Sequence, residues 1–259
     1  MKRVLTFVEA IREAIDQSMA KDKDIILFGL GVDDPKTIFG STTNLQKKYS
    51  EKRVFDVPTS ENAITGVGIG AAINGKRPIM VHQRLDFFLL AMDQVVNAAA
   101  KWYFMFGNQQ SVPITIRLIM GRGWGQGPTH SQNLQAWFAH IPGLKVVMPA
   151  TAADAKGLLI ASIQDNNPVI FMEHRWLHNV KGEVSKVCKP IPLGKANLLK
   201  KGRDITIVAM SYMVIEAIHA SEFLEFHDIS CEIVDLRTVA PIDDETIFNS
   251  IAKTKKIIV

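Results

Sequence analysis

The sequence predicts an α/β fold in which helices cover both faces of a mostly parallel sheet. Two observations support this prediction. Short apolar runs alternate with helical patterns along almost the whole chain, and this alternation is typical of a parallel sheet built from strand–helix–strand units. The apolar runs are also continuous rather than alternating in polarity, as expected for strands that are buried on both faces.

The predicted elements follow one another in a regular order over the first part of the chain. Strands are expected at Ile25–Phe28, Val54–Val57, Ile79–Val81, Ile114–Leu118, Val146–Met148 and Val169–Met172. Helical patterns occupy residues 5–20, 61–74, 88–104, 132–139 and 151–164. Together these elements predict one large domain over residues 1–185.

A second α/β domain is expected over residues 186–259. Residues 178–204 are rich in Lys, Pro and Gly and indicate an extended linker. The alternation then resumes, with strands at Ile205–Met210 and Ser230–Asp235, helices at Val214–Phe226 and Asp243–Ala252, and an apolar run at Ile257–Val259. Roughly 70 residues are few for such a domain, and the chain ends inside a strand pattern, so we expect this domain to be incomplete.

Composition excludes several functional classes. Apolar residues make up 47% of the 259 residues, which is too high for a disordered chain. The net charge of +4 is dispersed, so we expect no nucleic-acid-binding surface. No apolar stretch approaches the roughly 20 residues that cross a membrane, and Cys188 and Cys231 have neither disulfide-framework nor metal-site spacing. These features predict a cytoplasmic protein that binds neither nucleic acid nor membrane.

The segment 57–75 places a carboxylate at the junction of a strand and a helix. Thr59 or Ser60 can cap the helix, and Glu61 lies in its first turn. Three glycines follow, and because each weakens a helix by about 1 kcal/mol relative to alanine, they indicate close packing of the backbone. An α/β enzyme positions ligand-binding groups at such corners. The alternative is that Glu61 only complements the helix dipole.

The loop GRGWGQGPTHSQ, residues 121–132, is the second segment that indicates a functional site. Four glycines at alternate positions permit unusual backbone angles and the close approach of a ligand. His130 is expected near the N-terminus of the following helix, a position that suits a neutral hydrogen-bond partner or a proton shuttle. The alternative is a surface histidine near a helix cap.

Residues 85–102, LDFFLLAMDQVVNAAAKW, predict a helix that is apolar on most of its circumference. Asp93, Gln94 and Asn97 interrupt the apolar residues, and buried polar groups need partners. Both a subunit interface and simple core packing account for this pattern, and the sequence leaves the choice open.

Two other motifs are discounted on their spacing. The GxGxG pattern at residues 66–70, with Asp86 further on, differs from the GxGxxG of dinucleotide-binding sites. His174 and His178 are spaced like two zinc ligands on a helix, but they lack the HExxH order of such a site. A nicotinamide enzyme therefore stays only a minor alternative, and we expect no zinc site.

Taken together, the segments resemble the beta subunit of the thiamine-diphosphate-dependent decarboxylase component of 2-oxo acid dehydrogenase complexes, the pyruvate and branched-chain group of the transketolase superfamily. The matching stretches are RVFDVPTSENAITGVGIGAA, AMDQVVNAAAK, GPTHSQNLQAWFAHIPGLKVVMPATAADAKGLL, DNNPVIFMEHR, IPLGKA and DLRTVAPIDDETI. The resemblance implies a transketolase-like pyrimidine-binding domain in residues 1–185 and an incomplete transketolase C-terminal-like domain in residues 186–259.

The resemblance also implies a cofactor site. Glu61 matches the glutamate that hydrogen-bonds the aminopyrimidine of thiamine diphosphate, and a shared proton requires a carboxyl screened from water, so we expect Glu61 to be buried. Phe87 matches an aromatic residue that packs on the pyrimidine, and Gln83 is assigned to cofactor binding beside it. His130 matches a histidine that faces the reacting carbonyl or the lipoyl acceptor. A structural potassium ion is implied at Ile114, Ser162, Ile163, Asp165 and Asn167.

Partners follow from the same resemblance. The GDG…N element that holds magnesium and diphosphate is not recognisable here, so an alpha subunit is expected to supply it, in an α2β2 assembly with a second beta chain. A lipoyl acyltransferase core is a further expected partner. His82 and Arg84 depart from the family pattern and would suit a polar substrate. A two-component transketolase-like carboligase acting on a sugar or aldehyde therefore stays an alternative, as does a non-catalytic assembly subunit.

Overall fold

A computed structural model describes residues 2–34, 37–123 and 125–259 of the chain. The strands are β1 (Lys2–Thr6), β2 (Ile25–Phe28), β3 (Val54–Phe55), β4 (Arg77–His82), β5 (Thr115–Met120), β6 (Lys145–Val147), β7 (Val169–His174), β8 (Lys181–Ser185), β9 (Asn197–Lys200), β10 (Ile205–Ala209), β11 (Cys231–Asp235), β12 (Thr238–Ala240) and β13 (Ile257–Ile258). The α-helices are α1 (Phe7–Lys21), α2 (Leu45–Tyr49), α3 (Glu61–Ile73), α4 (Leu85–Phe88), α5 (Trp102–Met105), α6 (Gln135–Ala139), α7 (Ala152–Gln164), α8 (Met213–Glu225) and α9 (Asp244–Thr254). Shorter helical turns are Thr37–Gly40, Leu89–Ala91, Pro128–His130, Arg175–Leu177 and the π-helical Gln94–Ala99.

Seven strands form the main sheet, in the order β12-β6-β7-β5-β4-β2-β3. All neighbours from β6 to β3 are parallel, and β12 alone in this sheet pairs antiparallel, with β6. Successive residues of β4 point into two separate cores, Ile79 and Val81 into one and Met80 into the other. The first core is covered by α1 and α7 and the second by α3. The mostly parallel sheet with helices on both faces is thereby confirmed.

Local capping fixes where the covering helices begin. Thr6 and Glu9 form a capping box at the start of α1, since each side chain bonds to the backbone N–H of the other residue. The Thr151 hydroxyl accepts a hydrogen bond from the Asp154 N–H (3.1 Å) at the start of α7. The two helices pack on the same face of the sheet, where apolar residues of the amphipathic α1 and of the almost wholly buried α7 cover the strands.

A second sheet, in the order β13-β10-β11-β9, follows later in the chain. Strands β13, β10 and β11 are parallel, and β9 pairs antiparallel with β11. Between β11 and α9, the short β12 returns to the edge of the main sheet. The division of the chain after residue 185 stays a prediction. Within the described parts of the chain, every helix is too short or too polar to span a membrane.

The structure corrects the sequence expectations in three places. Residues 178–204 are not simply a linker, because they contain β8, which pairs antiparallel with β1, and β9. The first helix begins at Phe7 rather than residue 5, because β1 precedes it. The helix expected over residues 88–104 is broken into α4, two short helical turns and α5. Strands β1, β8 and β9 were not expected, and they gain their hydrogen bonds from partners distant in the sequence, which local periodicity does not encode.

Candidate active site

Strands β2 and β4 end beside a cleft at the start of α3. Its walls are Gly29 and Leu30 after β2, residues 57–61 around the start of α3, residues 80–83 around the end of β4, and Phe87 on α4. About 410 Å³ of space outside the protein atoms lies between these walls, open solvent included. Ligands of open α/β sheets bind at the carboxyl ends of the strands. The cleft therefore is the candidate active site, and it brings together three of the predicted residues, Glu61, Gln83 and Phe87.

Glu61 is the first residue of α3, as expected from the sequence. Ser60 precedes it, but the Ser60 side chain makes no capping hydrogen bond, contrary to the expectation. Glu61 is half-buried in this chain, whereas the sequence led us to expect full burial. Its carboxylate therefore lies at the positive end of the helix dipole, on the wall of the cleft and within reach of water.

The glycines of α3 have different surroundings. A Cβ on Gly68 would lie 3.0 Å from the Phe28 ring and 3.1 Å from the Ile114 side chain, and one on Gly66 would lie 3.1 Å from the Gln94 side chain. A Cβ on Gly70 would meet no atom within 4 Å. The expected close packing is confirmed at the first two positions and is wrong at Gly70.

His82 is the cleft residue whose environment the sequence did not anticipate. It is 8% exposed and its ring lies 4.7 Å from that of Phe88. Its Nε2 atom is buried and has no hydrogen-bond partner among the described residues. Burial lowers the pKa of His82 to about 4, so the imidazole is neutral at physiological pH. A buried polar atom without a partner costs about 1–3 kcal/mol.

Gln83 and Phe87 complete the cleft. The Gln83 amide nitrogen donates a hydrogen bond to the Leu30 carbonyl (3.1 Å), which fixes the side chain across the ends of β2 and β4. The Phe87 ring is partly exposed, at 38%, and faces the cleft. A carboxylate, a side-chain amide and an aromatic surface suit a planar, hydrogen-bonding ring. The residues present therefore fit an aminopyrimidine.

His130 lies next to the cleft rather than inside it. It ends the short turn Pro128–His130, and α6 begins only at Gln135, so the expected position at a helix N-terminus is wrong. The Thr129 hydroxyl lies 3.1 Å from its Nδ1 atom. Its ring meets the Phe87 ring edge-on, with the centroids 5.4 Å apart. Phe87 therefore connects His130 to the cleft. Trp124 of the same loop lies outside the described residues.

The positions assigned to potassium lie around the end of α7 and are Ile114, Ser162, Ile163, Asp165 and Asn167. Arg77 donates hydrogen bonds to the carbonyls of Ile163 (2.9 Å) and Asp165 (2.8 Å). The Asp165 carboxylate forms an ion pair with Lys145. Two cationic side chains therefore already contact this loop, and a potassium ion would have to use the second lone pair of each carbonyl beside them. The potassium site stays a prediction.

The histidines set aside as zinc ligands have other contacts. The Glu173 carboxylate accepts hydrogen bonds from Arg117 on the neighbouring strand, from Nε at 2.5 Å and from Nη2 at 2.9 Å. The side chains of Arg117, Glu173 and His178 are all buried. His178 Nε2 lies 3.5 Å from the same carboxylate. His174 Nδ1 accepts a hydrogen bond from the Trp176 N–H (3.3 Å). The end of strand β7 therefore contributes Glu173 to a buried ion pair with Arg117.

The segment from α4 to α5 has one buried and one exposed side. Val95 and Ala99 are buried, whereas Leu90 is 67% and Phe104 is 85% exposed. Asp93 and Asn97 are exposed, and the Asn97 amide donates a hydrogen bond to Asp93 (2.7 Å). The sequence led us to expect buried polar groups here, and that expectation is wrong for these two residues. One side thus packs in the core, and the subunit interface stays a prediction for the other side.

Comparisons with known proteins agree with this geometry. A family model described as "Transketolase, pyrimidine binding domain" matches residues 3–180, and one described as "Transketolase, C-terminal domain" matches residues 194–259. A solved structure described as a split gene transketolase in an inactive beta4 tetramer has a TM-score of 0.80 at 22% identity, over 98% of this chain and 77% of that chain. At this identity the likeness shows the fold.

Curated relatives are similar over nearly the whole chain. The acetoin:2,6-dichlorophenolindophenol oxidoreductase subunit beta of Cupriavidus necator is 42% identical, over 100% of this chain and 79% of the relative. The pyruvate dehydrogenase E1 component subunit beta of Acholeplasma laidlawii is 44% identical, over 99% of this chain and 79% of the relative. The 2-oxoisovalerate dehydrogenase subunit beta of Bacillus subtilis is 41% identical, over 98% of this chain and 79% of the relative. The chain therefore belongs to the transketolase family, in the group of beta subunits of 2-oxo acid dehydrogenases, as its motifs predicted.

Proposed function

We propose that this chain is the beta subunit of a thiamine-diphosphate-dependent 2-oxo acid dehydrogenase, the component that decarboxylates a 2-oxo acid and passes the acyl group to a lipoyl acceptor. The observation that carries the proposal is the cleft at the carboxyl ends of β2 and β4, where Glu61, His82 and Phe87 lie together. Thiamine diphosphate, when bound, supplies the nucleophilic carbon that adds to the carbonyl of the 2-oxo acid.

In this proposal the residues of the cleft hold the pyrimidine end of the cofactor. Glu61 shares a proton with a ring nitrogen, and Phe87 packs on the ring face. His82 lines the cleft and is neutral, so it can border the ring without adding charge beside Glu61. Gln83, fixed by its bond to the Leu30 carbonyl, borders the same ring. The half-buried Glu61 would be screened from water once an alpha subunit covers the cleft, which strengthens its bond to the ring.

His130 has a different role from the cleft residues. Because it lies beyond Phe87 from the cleft, we assign it to the acyl group or its lipoyl acceptor rather than to the pyrimidine. Its Nδ1 atom is engaged by the neighbouring Thr129 hydroxyl, which leaves the other ring nitrogen to accept or donate a proton at the reacting carbonyl.

Partners and cellular setting belong to the same proposal. Several relatives are named as beta subunits, which supports an alpha subunit as the chain's partner. We place the diphosphate and magnesium on that subunit, in an α2β2 assembly that serves a lipoyl acyltransferase core in the cytoplasm. The exposed side of the segment from Leu90 to Phe104 is the surface that we assign to a neighbouring subunit.

A carboligase acting on a sugar or aldehyde is the alternative function, since His82 and Arg84 would suit a polar substrate. Arg84 donates hydrogen bonds to the Gln126 side chain and the His130 carbonyl, so its guanidinium is committed to the protein. Only His82 then supports the carboligase, and a polar residue at this position would suit a pyrimidine ring in the cleft equally well. The decarboxylating function is therefore the better supported one.

Reconstitution with the alpha subunit tests the proposal. The purified complex, with thiamine diphosphate and magnesium, would be assayed for CO2 release from pyruvate and 2-oxoisovalerate and for acetoin cleavage, the donors named by the relatives. We expect turnover of at least one donor and a loss of at least about 100-fold in Glu61→Gln, since positioned acid–base groups contribute on this scale. Unchanged turnover in Glu61→Gln would exclude the role assigned to this residue.

The matched control is Glu51→Gln, because Glu51 is an exposed glutamate in a turn away from the cleft. Its activity should equal that of the wild type. A complex that assembles normally but turns over none of the donors, with or without lipoyl acceptor, would favour the non-catalytic assembly subunit.

A further inference from the structure

The loop that carries His130 has little rigidity of its own. Gly125 and Gly127 adopt positive φ angles of 66° and 76°, with open space around both, and residues 125–129 are exposed. Hydrogen bonds to the Gly127 carbonyl from the His130 N–H (3.3 Å) and the Ser131 hydroxyl (3.0 Å) close a turn. These bonds shape the turn, but they do not fasten it to the body of the protein.

Arg84 provides one attachment. It lies between β4 and α4, directly after the cleft residue Gln83. Its Nη1 atom donates to the His130 carbonyl (3.3 Å), and its Nη2 atom donates to the Gln126 side-chain carbonyl. The guanidinium is a planar donor of fixed shape, so two bonds from one group define both the position and the orientation of this part of the loop.

Asp86 provides a second attachment two residues later. Its Oδ1 atom accepts hydrogen bonds from the Gln132 N–H (3.3 Å) and the Gln132 side-chain amide (2.9 Å). Arg84 therefore holds the loop at residues 126 and 130, and Asp86 holds it at residue 132. We call these two side chains the clasp. They flank His130 on both sides, and the neighbouring Phe87 contacts its ring.

We propose that Arg84 and Asp86 are positioning residues that fix His130 over the cleft. The catalytic part of this inference rests on the proposed function, whereas the structural part does not. A loop with glycines at alternate positions samples many conformations, and a misplacement of about 1 Å can lower a rate about 100-fold. Without the clasp, His130 would be present but out of position during the chemical step.

Hydrogen–deuterium exchange on the full chain tests the structural part. In Arg84→Gln we expect peptides covering residues 126–132 to exchange about three- to tenfold faster, the effect of losing one or two hydrogen bonds. Arg84→Lys, which keeps one charged donor, should recover part of the protection. Asp86→Asn should raise exchange chiefly at residue 132. Arg203→Gln, at an exposed arginine far along the chain, is the matched control and should behave as the wild type.

Kinetics of the reconstituted complex test the catalytic part. Arg84→Gln should lower kcat about tenfold or more, with little change in the affinity for thiamine diphosphate, because the cleft residues stay in place. In a His130→Ala background the same substitution should have little further effect on kcat, since a positioning residue acts only through the group that it positions. Arg84→Lys should restore part of kcat.

Two results would overturn the inference. Unchanged exchange at residues 126–132 in both Arg84→Gln and Asp86→Asn would show that the clasp does not hold the loop. Additive losses of kcat in Arg84→Gln and His130→Ala would show that Arg84 does not act through His130. If the wild-type complex turns over no donor, the proposed function fails, while the exchange experiment still decides whether the clasp exists.

Discussion

The rings of Phe87 and His130 meet edge-on, with centroids 5.4 Å apart and planes 87° apart. Phe87 belongs to α4 and lines the cleft, whereas His130 ends a short turn in the glycine loop. Two segments that are separated by more than 40 residues in the sequence thus form one surface. The Phe87 ring is the shared element, since it faces the cleft and supports the histidine.

Phe87→Ala should impair both functions of this ring. We expect the affinity of the reconstituted complex for thiamine diphosphate to fall about tenfold, because an aromatic stacking contact contributes about 0.5–1.5 kcal/mol. Calorimetric titration with the cofactor measures this change. Phe226→Ala removes the same type of side chain from an exposed position that does not line the cleft and should leave the affinity unchanged. Equal affinity in both variants would contradict the role of Phe87.

His82 should be favourable for function and unfavourable for stability. Its buried Nε2 atom has no partner among the described residues, so His82→Leu should raise the free energy of unfolding of the unliganded chain by about 1–2 kcal/mol. The same substitution should weaken cofactor binding in the complex. Urea unfolding and calorimetric titration measure the two effects. A variant that is both less stable and equally good at binding would show that His82 only fills the core.

The pH dependence of stability should report the same residue. Burial lowers the pKa of His82 from 6.5 to about 4, so between these values the unfolded chain binds a proton at His82 and the folded chain does not. Stability therefore falls as the pH drops through this window. Between pH 7.5 and pH 5 the loss from His82 should be about 2 kcal/mol. Over this pH range the free energy of unfolding of the wild type should fall by about 2 kcal/mol more than that of His82→Leu. Equal losses in the two proteins would contradict the lowered pKa of His82.

Gly68 and Gly70 provide a matched pair of substitutions on one helix. Gly68→Ala would bring a Cβ to 3.0 Å from the Phe28 ring, so we expect destabilisation by about 1–3 kcal/mol from overpacking. Gly70→Ala has open space and should stabilise the chain by up to about 1 kcal/mol through helix propensity. Thermal unfolding of the isolated chain distinguishes the two. Destabilisation by Gly70→Ala would mean that its surroundings are closer than the distances indicate.

The Arg117–Glu173 pair should matter more to stability than to chemistry. Burial raises the pKa of Glu173, but Arg117 and His178 outweigh it and hold the pKa at about 2. Arg117→Leu leaves a buried carboxylate unpaired and should lower the free energy of unfolding by about 3–5 kcal/mol. Adding Glu173→Leu should recover much of this loss, and failure to recover it would show that the arginine acts through packing.

Acid should weaken the same pair. Because the pKa of folded Glu173 lies below its unfolded value of 4.5, the pair contributes its full stability above about pH 4.5 and loses it as the pH falls towards 2. The wild type should therefore lose more stability between pH 5 and pH 3 than the double variant Arg117→Leu/Glu173→Leu. Parallel curves for the two proteins would contradict this assignment.

Much of the fold was predictable because the responsible signals are local. Strand β2 was predicted with the observed bounds, and α3 and α7 within one residue, since continuous apolar runs and capping residues lie next to one another in the sequence. Strands β1, β8 and β9 were missed, because each is polar or partly exposed and gains its hydrogen bonds from a distant strand. The break of the helix over residues 88–104 likewise has no local signal.

The sequence by itself determined the family and the alternating parallel architecture, because both depend on residue types at fixed spacings, and it predicted roles for Glu61, Phe87 and His130. Only the tertiary structure decided how these residues meet. It buried the His82 imidazole beside the cleft with its Nε2 atom unpaired among the described residues, and it joined Arg84 by hydrogen bonds to Gln126 and His130. These outcomes depend on distances between segments that are far apart in the chain, and chain folding alone sets those distances.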